Sequence, residues 1–249
     1  MGVAGKFMLP TLLLLAAGAA SGQQGGDLQA QILYAYQTED ANSLSNLTQD
    51  LATRVKADSA DSSLRYHLAH AQYRRGLLSD RANAREAQSA FGDCIDELKP
   101  LVSQDVKSVE ALVLQSACYA DLAELKQLDA VLLRSRAQER LDAALKIAPR
   151  NPRAVFVSSL QDMSRAKPGS VLQQHAFAQL ELAAQLFETT SATSIDAPGW
   201  GHAEAYLALG RQLQARGDQL GARNWIEKSL LAAPDYKAAQ RQLALLIQH

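Results

Sequence analysis

The chain has 249 residues, of which 47% are hydrophobic and 20% charged, with 25 Lys and Arg against 26 Asp and Glu. That balance, with no run of like charges, excludes an electrostatic footprint for nucleic acid or for an anionic membrane surface. None of the motifs G-x-S-x-G, H-E-x-x-H, G-x-x-x-x-G-K-[ST] or G-x-G-x-x-G occurs, so the sequence reads as a non-enzyme without cofactor or metal.

Met1–Lys6 is short and carries one positive charge, Phe7–Ala17 is an apolar run, and Gly18, Ala19, Ala20, Ser21 and Gly22 are small. The pattern predicts a secretory signal peptide over residues 1–22 and a polar spacer over 23–26, too short to persist as a membrane span. No Cys lies beside the small residues, which excludes lipid attachment of the bacterial lipoprotein type. The mature chain is expected to begin between Ala20 and Asp27. It should be soluble and periplasmic, with no stable membrane insertion after cleavage.

Residues 27–58 carry two stretches of helical periodicity, Leu28, Ile32, Leu33, Tyr36 and then Leu44, Leu47, Leu51, Val55, and form an N-terminal helix pair. Residues 61–100 form a second unit, RYHLAHAQYRRG followed by Ala87, Phe91 and Cys94 in small, large, small order. Gly76 is expected at its turn and Pro100 just past its end. A third unit spans 106–149, with Val109, Leu112, Ser116 and Tyr119 on one stripe, then Ala137, Leu141 and Ala144 before Pro149. About nine extra residues are expected between its helices. A fourth spans 152–188 through Val155, Ser159, Ala176, Leu180 and Ala183. The fifth, 203–234, is the clearest: Tyr206-x₂-Leu209-Gly210-x₂-Leu213, a Gly217-Asp218 turn, then Ala222-x₃-Ile226, Ser229 and Pro234. These residues match the tetratricopeptide (TPR) signature in order and spacing. Gly210 and Ala222 are small where two helices cross closely, and Pro234 ends the second helix.

A single repeat cannot bury its own apolar face, so the units must stack. Residues 235–249 continue as a cap helix, with Ala238, Leu243, Leu246 and Ile247 facing back and Lys237, Gln240 and Arg241 facing out. The expected fold is all-α, a TPR-like α-solenoid whose antiparallel helix pairs form a right-handed superhelix. Cys94 and Cys118 fall on neighbouring helices of successive units, where a disulfide is sterically feasible. The alternative is two buried small apolar side chains in slots usually held by alanine. His67 and His70 stand at i, i+3, but no carboxylate or Cys completes a metal site at ligand spacing.

The stretch Asp196–Leu209, DAPGWGHAEAYLAL, joined to GDQLGARNWIEKSLLAAPDY, resembles an uncharacterised family of bacterial periplasmic TPR proteins. There a Gly-Trp-Gly-His-Ala-Glu-Ala block precedes the last repeat, and a turn like Arg150-Asn151-Pro152-Arg153 opens the one before. The resemblance implies an exported scaffold and no known substrate. This chain departs from it in lacking a Gly-rich loop ahead of the Ala176 helix, where Lys167-Pro168-Gly169-Ser170 stands.

In a TPR array the first helix of each unit lines a concave groove. The frame set by Tyr206 places Glu204, Leu207, Arg211 and Gln214 on that groove. Transferred upstream, it adds Tyr66, His70, Tyr73 and Arg74, then Glu110, Val113 and Asp121, then Arg153, Phe156 and Met163. Such a face suits a protein or peptide partner, with aromatics for area and Arg for carboxylates or carbonyls. Neither Arg74 nor Arg211 belongs to the small/large core pattern, so the fold is expected to survive their loss. The expected function is an exported scaffold binding a protein or peptide in the cell envelope. The alternative is an accessory solute-binding or assembly subunit of an envelope transport or secretion system, with a pocket near Trp200 and His202.

Overall fold

In the computed structural model, residues 17–79, 83–104, 108–190 and 198–247 are described. Among them are eleven helices and no strand: α1 (Ala17–Gln37), α2 (Ala41–Ala57), α3 (Ser62–Ser79), α4 (Ala84–Gln104), α5 (Val109–Leu125), α6 (Ala130–Ile147), α7 (Pro152–Arg165), α8 (Val171–Thr189), α9 (His202–Ala215), α10 (Gln219–Ala232) and α11 (Lys237–Ile247). The signal segment through residue 16, the start of the third unit at 106 and the last two residues of the cap lie outside the described residues. Residues 23–26, expected as a spacer, belong to α1.

Local chemistry starts these helices where the sequence changes character. Asp40, Asn151, Ser170 and Asp218 each accept an amide three residues on, at 3.0, 3.0, 3.2 and 2.8 Å, satisfying one of the orphan donors of a helix N-terminus. Pro152 stands just inside α7, where its missing N–H costs nothing. Gly217 takes a φ of +83°, the left-handed turn residue that lets α10 fold back on α9.

The helices pack as successive pairs, α1 with α2 through α9 with α10, and α11 covers the last pair. At the clearest seam, a Cβ on Gly210 would sit 2.6 Å from Ile226 Cγ1 and 3.0 Å from the Ala222 carbonyl oxygen, so only glycine permits this crossing. Two serines in small slots add a hydrogen bond across their pair. Ser229 Oγ donates to the Ala203 carbonyl at 2.8 Å and Ser116 Oγ to that of Ala137 at 2.7 Å. Cys94 of α4 and Cys118 of α5 are joined as a disulfide with their Cα atoms 6.4 Å apart, tying one pair to the next.

Several local expectations are corrected. Gly76 is not at a turn but inside α3, where an added Cβ would overlap the Phe91 ring, so it is the close-crossing glycine of its pair. Pro100 lies inside α4, which continues because Leu101 and Val102 are buried in the core beyond it. The extra residues of the third unit form no long loop. They lengthen its helices, with Leu122 and Ala123 buried near the end of α5 and α6 beginning at Ala130. In α11, Ala238, Leu243 and Leu246 pack inward as expected, but Ile247 is 66% exposed.

Nor is the array open at its ends. Arg241 of α11 donates to both Glu39 oxygens, at 2.8 and 2.5 Å, just past the end of α1. The Tyr36 and Tyr236 rings lie 6.1 Å apart, and Gly199 packs against Gln29 and Leu33 of α1. First and last units therefore meet.

Candidate functional site

The groove expected along α3, α5, α7 and α9 is occupied by the chain itself. Gly201 adopts a φ of +95°, and its amide donates to Glu204 Oε2 at 3.0 Å, capping α9 from within. That turn sends Trp200 into the array. Only 2% exposed, its indole Nε1 donates to Tyr66 Oη at 2.9 Å, and its ring lies 6.1 Å from His70 and 6.4 Å from Tyr73. The turn is held from the other side by Arg153, which donates to the Pro198 carbonyl at 2.5 Å and twice to Glu110, at 2.7 and 3.0 Å. Asn151 also donates to Glu110, at 2.8 Å. The Arg150–Arg153 turn and the Gly-Trp-Gly block are thus parts of one network.

Beside Trp200 lies the most buried charge among the described residues. Arg74, 2% exposed, donates from Nε to His70 Nε2 at 3.0 Å and from an amino group to Glu204 Oε1 at 2.5 Å. Its guanidinium lies over the Tyr36 ring, 4.3 Å from the centroid. Burial, reinforced by the Arg74 charge, holds His70 well below its ordinary pKa, so the imidazole is neutral. Its Nε2 can then accept from Arg74, which leaves the ring proton on Nδ1. Burial raises the Tyr66 and Tyr73 hydroxyls above their usual range, and Tyr73 is also hydrogen-bonded to Asp121. None of these phenols ionises near neutral pH.

Against this network a cavity of about 270 Å³ remains, lined by residues of α1, α3, α5, α7 and α9. Five aromatic rings line it, Tyr36, Tyr73, Phe156, Trp200 and Tyr236. Arg74, Glu204, Asp121, Glu124, Gln161 and Arg211 line it as well. Since Tyr36 comes from the first pair and Tyr236 from the approach to α11, closure of the array completes the cavity.

Of the groove residues expected from sequence, Tyr73, Arg74, Phe156, Glu204 and Arg211 come together on this cavity, joined by Asp121 and Leu207. Tyr66 and His70 are placed behind its wall, bonded to Trp200 and Arg74. Gln214 lies outside it, accepting from Gln242 of α11 at 2.5 Å. Glu110 and Arg153 anchor the Trp200 turn, and Val113 is buried in the core. His202 is turned away, stacked on Phe187 and 2.8 Å from Tyr206 Oη. The expectation that Arg74 is dispensable to the fold is corrected by its burial and pairing. Tyr36 and Tyr236 were not legible as site residues, because nothing in a repeat frame states that the two ends meet. Trp200 carried a signal, a large aromatic between two glycines in a block outside the repeat.

No protein-family profile and no curated protein sequence matches the chain. Among solved structures it is similar to the crystal structure of TTC0263, a thermophilic TPR protein in Thermus thermophilus. The two share 19% identity with a TM-score of 0.62, over 92% of this chain and 100% of that one. It is more distantly similar to MamA, with 16% identity and a TM-score of 0.36 over 88% of this chain and 96% of that one. A similar distance separates it from YrrB, a TPR protein with an unusual peptide-binding site, with 16% identity and a TM-score of 0.35 over 90% and 95%. At such identities what is shared with TTC0263 is the fold, and the fold is that of a TPR protein.

Proposed function

We propose that the protein is a non-enzymatic interaction scaffold that takes a short segment of a protein or peptide partner in its central cavity. The carrying observation is the cavity itself. Convergent side chains from α3, α5, α7 and α9 form a concave site lined by aromatic rings and charged groups, on a fold built from such helix pairs. With Trp200 filling much of the groove, a long helix cannot lie along it, so recognition is by one or two side chains. The apolar run and small residues before Gln23 support export to the cell envelope as the setting.

The test compares affinity capture from cell extract by the wild-type chain, a cavity-filling Ala120→Trp variant and an outer-face variant, Arg223→Ala with Lys228→Ala. Ala120 lines the cavity. Arg223 and Lys228 make exposed ion pairs with Glu227 and Glu188, of the kind worth about 0–1 kcal/mol, and the Lys228 ammonium also lies 4.1 Å from the Trp225 ring centroid. The filled cavity should lose the partner and the outer-face variant should keep it. The opposite result would place the interface on the outer helices.

A further inference from the structure

We infer that the cavity takes a neutral aromatic side chain bearing one hydrogen-bond donor, the tyrosine phenol or tryptophan indole of a partner segment. This inference rests on the cavity being the partner site and names the chemistry of its occupant.

Size and lining come first. At about 270 Å³ the cavity falls just below the roughly 300–1,000 Å³ of pockets that enclose whole small ligands, and it suits a single large side chain. Ala117, Ala120 and Ala208 leave the space, and Leu77 and Val157 add aliphatic wall beside the five aromatic rings. An aromatic ring brings the largest apolar area that one side chain can place there, and it gains further from contact with other rings.

The charged groups at the cavity are engaged within the protein. Arg74 pairs with Glu204, Glu124 pairs with Arg134, and Asp121 accepts from the Tyr73 hydroxyl. Arg211, exposed and bonded to Gln242 Oε1 at 3.0 Å, keeps its charge in water. A charged occupant of either sign would give up its own hydration among groups already paired, which favours a neutral side chain.

The donor requirement comes from Gln161 of α7, which lines the cavity and is only 9% exposed. Its amide nitrogen lies 2.8 Å from Ser116 Oγ. The Ser116 hydroxyl proton is already given to the Ala137 carbonyl at 2.7 Å, so toward Gln161 that oxygen can only accept. The nitrogen of the Gln161 amide therefore faces Ser116, and the carbonyl oxygen is the end left over. No donor among the described residues meets that oxygen. A carbonyl so deeply placed is costly to leave unpaired, and a donor carried by the occupant satisfies it. Phenol O–H and indole N–H each bring one donor on an otherwise apolar ring, whereas phenylalanine brings none.

The experiment titrates the full chain with four probes that share one tolyl ring, following the Leu77 and Val157 methyls by proton–carbon NMR. p-Cresol, the tyrosine side chain itself, should shift both methyls saturably at millimolar concentration, and should not do so in Ala120→Trp. Toluene, which lacks the donor, should bind about fivefold more weakly. p-Toluate and 4-methylbenzylammonium, one of each charge, should bind at least about tenfold more weakly. Gln161→Met should abolish the preference for p-cresol over toluene, and if that variant does not fold, the order of the four probes on the wild-type chain decides alone. Toluene or either charged probe binding as tightly as p-cresol overturns the assignment, as does p-cresol leaving both methyls unmoved at millimolar concentration. Those outcomes leave the partner site standing, because capture with Ala120→Trp tests it separately. Capture that survives Ala120→Trp overturns the partner site and the identity of its occupant together.

Discussion

Arg74 and Arg211 were both expected on the groove face, yet they sit in different physics. Arg74 is buried with a carboxylate whose side chain is 11% exposed, whereas Arg211 is exposed and bonded only to a glutamine. Removing one member of a buried pair strands the other, at about 3–5 kcal/mol, while an exposed change stays within roughly 0.5 kcal/mol. Chemical denaturation should therefore show Arg74→Ala strongly destabilised and Arg211→Ala close to wild type; equal effects would mean that the Arg74–Glu204 pair is not formed in solution. The histidines add a pH dependence with a definite sign. Burial lowers the pKa of His67, His70 and His202 below 6.5, so the unfolded chain binds more protons on acidification. Stability is intact above about pH 6.5 and is lost as pH falls below it through the folded values. In His70→Gln the side-chain oxygen can still accept from Arg74 and does not titrate, so the fall in denaturation midpoint between pH 7 and 5 should be shallower. An unchanged slope would remove His70 from the linkage.

At the scale of elements, the order of helix pairs was legible and their details were not, for reasons visible at particular residues. The small/large/small rhythm survives wherever two helices cross, which is why Ala137, Leu141 and Ala144, or Ala176, Leu180 and Ala183, could be read directly and are all buried. Gly76 was misread because glycine signals both a turn and a close crossing, and only the Phe91 ring against it separates the two. Pro100 was misread because a proline usually marks a helix end, whereas here buried Leu101 and Val102 carry α4 past it. The cysteines were an open alternative, since their separation follows from helix rotation and not from spacing. Their bond closes a loop between residues 24 apart, for which loss of denatured-state entropy gives about 3 kcal/mol. Reduction should lower the unfolding free energy by about that amount, and a Cys94→Ala/Cys118→Ala variant should match the reduced protein. A reduced protein as stable as the oxidised one would show that helix packing alone joins the α3–α4 and α5–α6 pairs.

For the whole molecule, what matters is that the last unit packs on the first. A repeat array with free ends has approximately nearest-neighbour energetics, so damage at one end stays there. Here Tyr236 is 6% exposed, and its ring packs against Tyr36 of α1. Arg74 of α3 bonds Glu204 of α9, and Arg241 bonds Glu39. These contacts span 130 and 202 positions of sequence, and no periodicity can announce them because they belong to no repeat. They also explain why Tyr36 and Tyr236 share a cavity with the inner helices. Removing the Tyr236 ring by Tyr236→Ala should cost about 3 kcal/mol, as for other buried aromatics. Its consequence should appear at the opposite end of the sequence. In amide hydrogen exchange, α1 and α2 should lose protection together with α10 and α11, while the α5–α6 pair keeps most of its own. As a comparison, Ile226→Ala removes a fully buried side chain of α10, in the last repeat, and should loosen α9 and α10 with a smaller effect on α1. If Tyr236→Ala leaves α1 and α2 as protected as in wild type, the two ends are adjacent without being energetically coupled, and the cavity does not depend on closure.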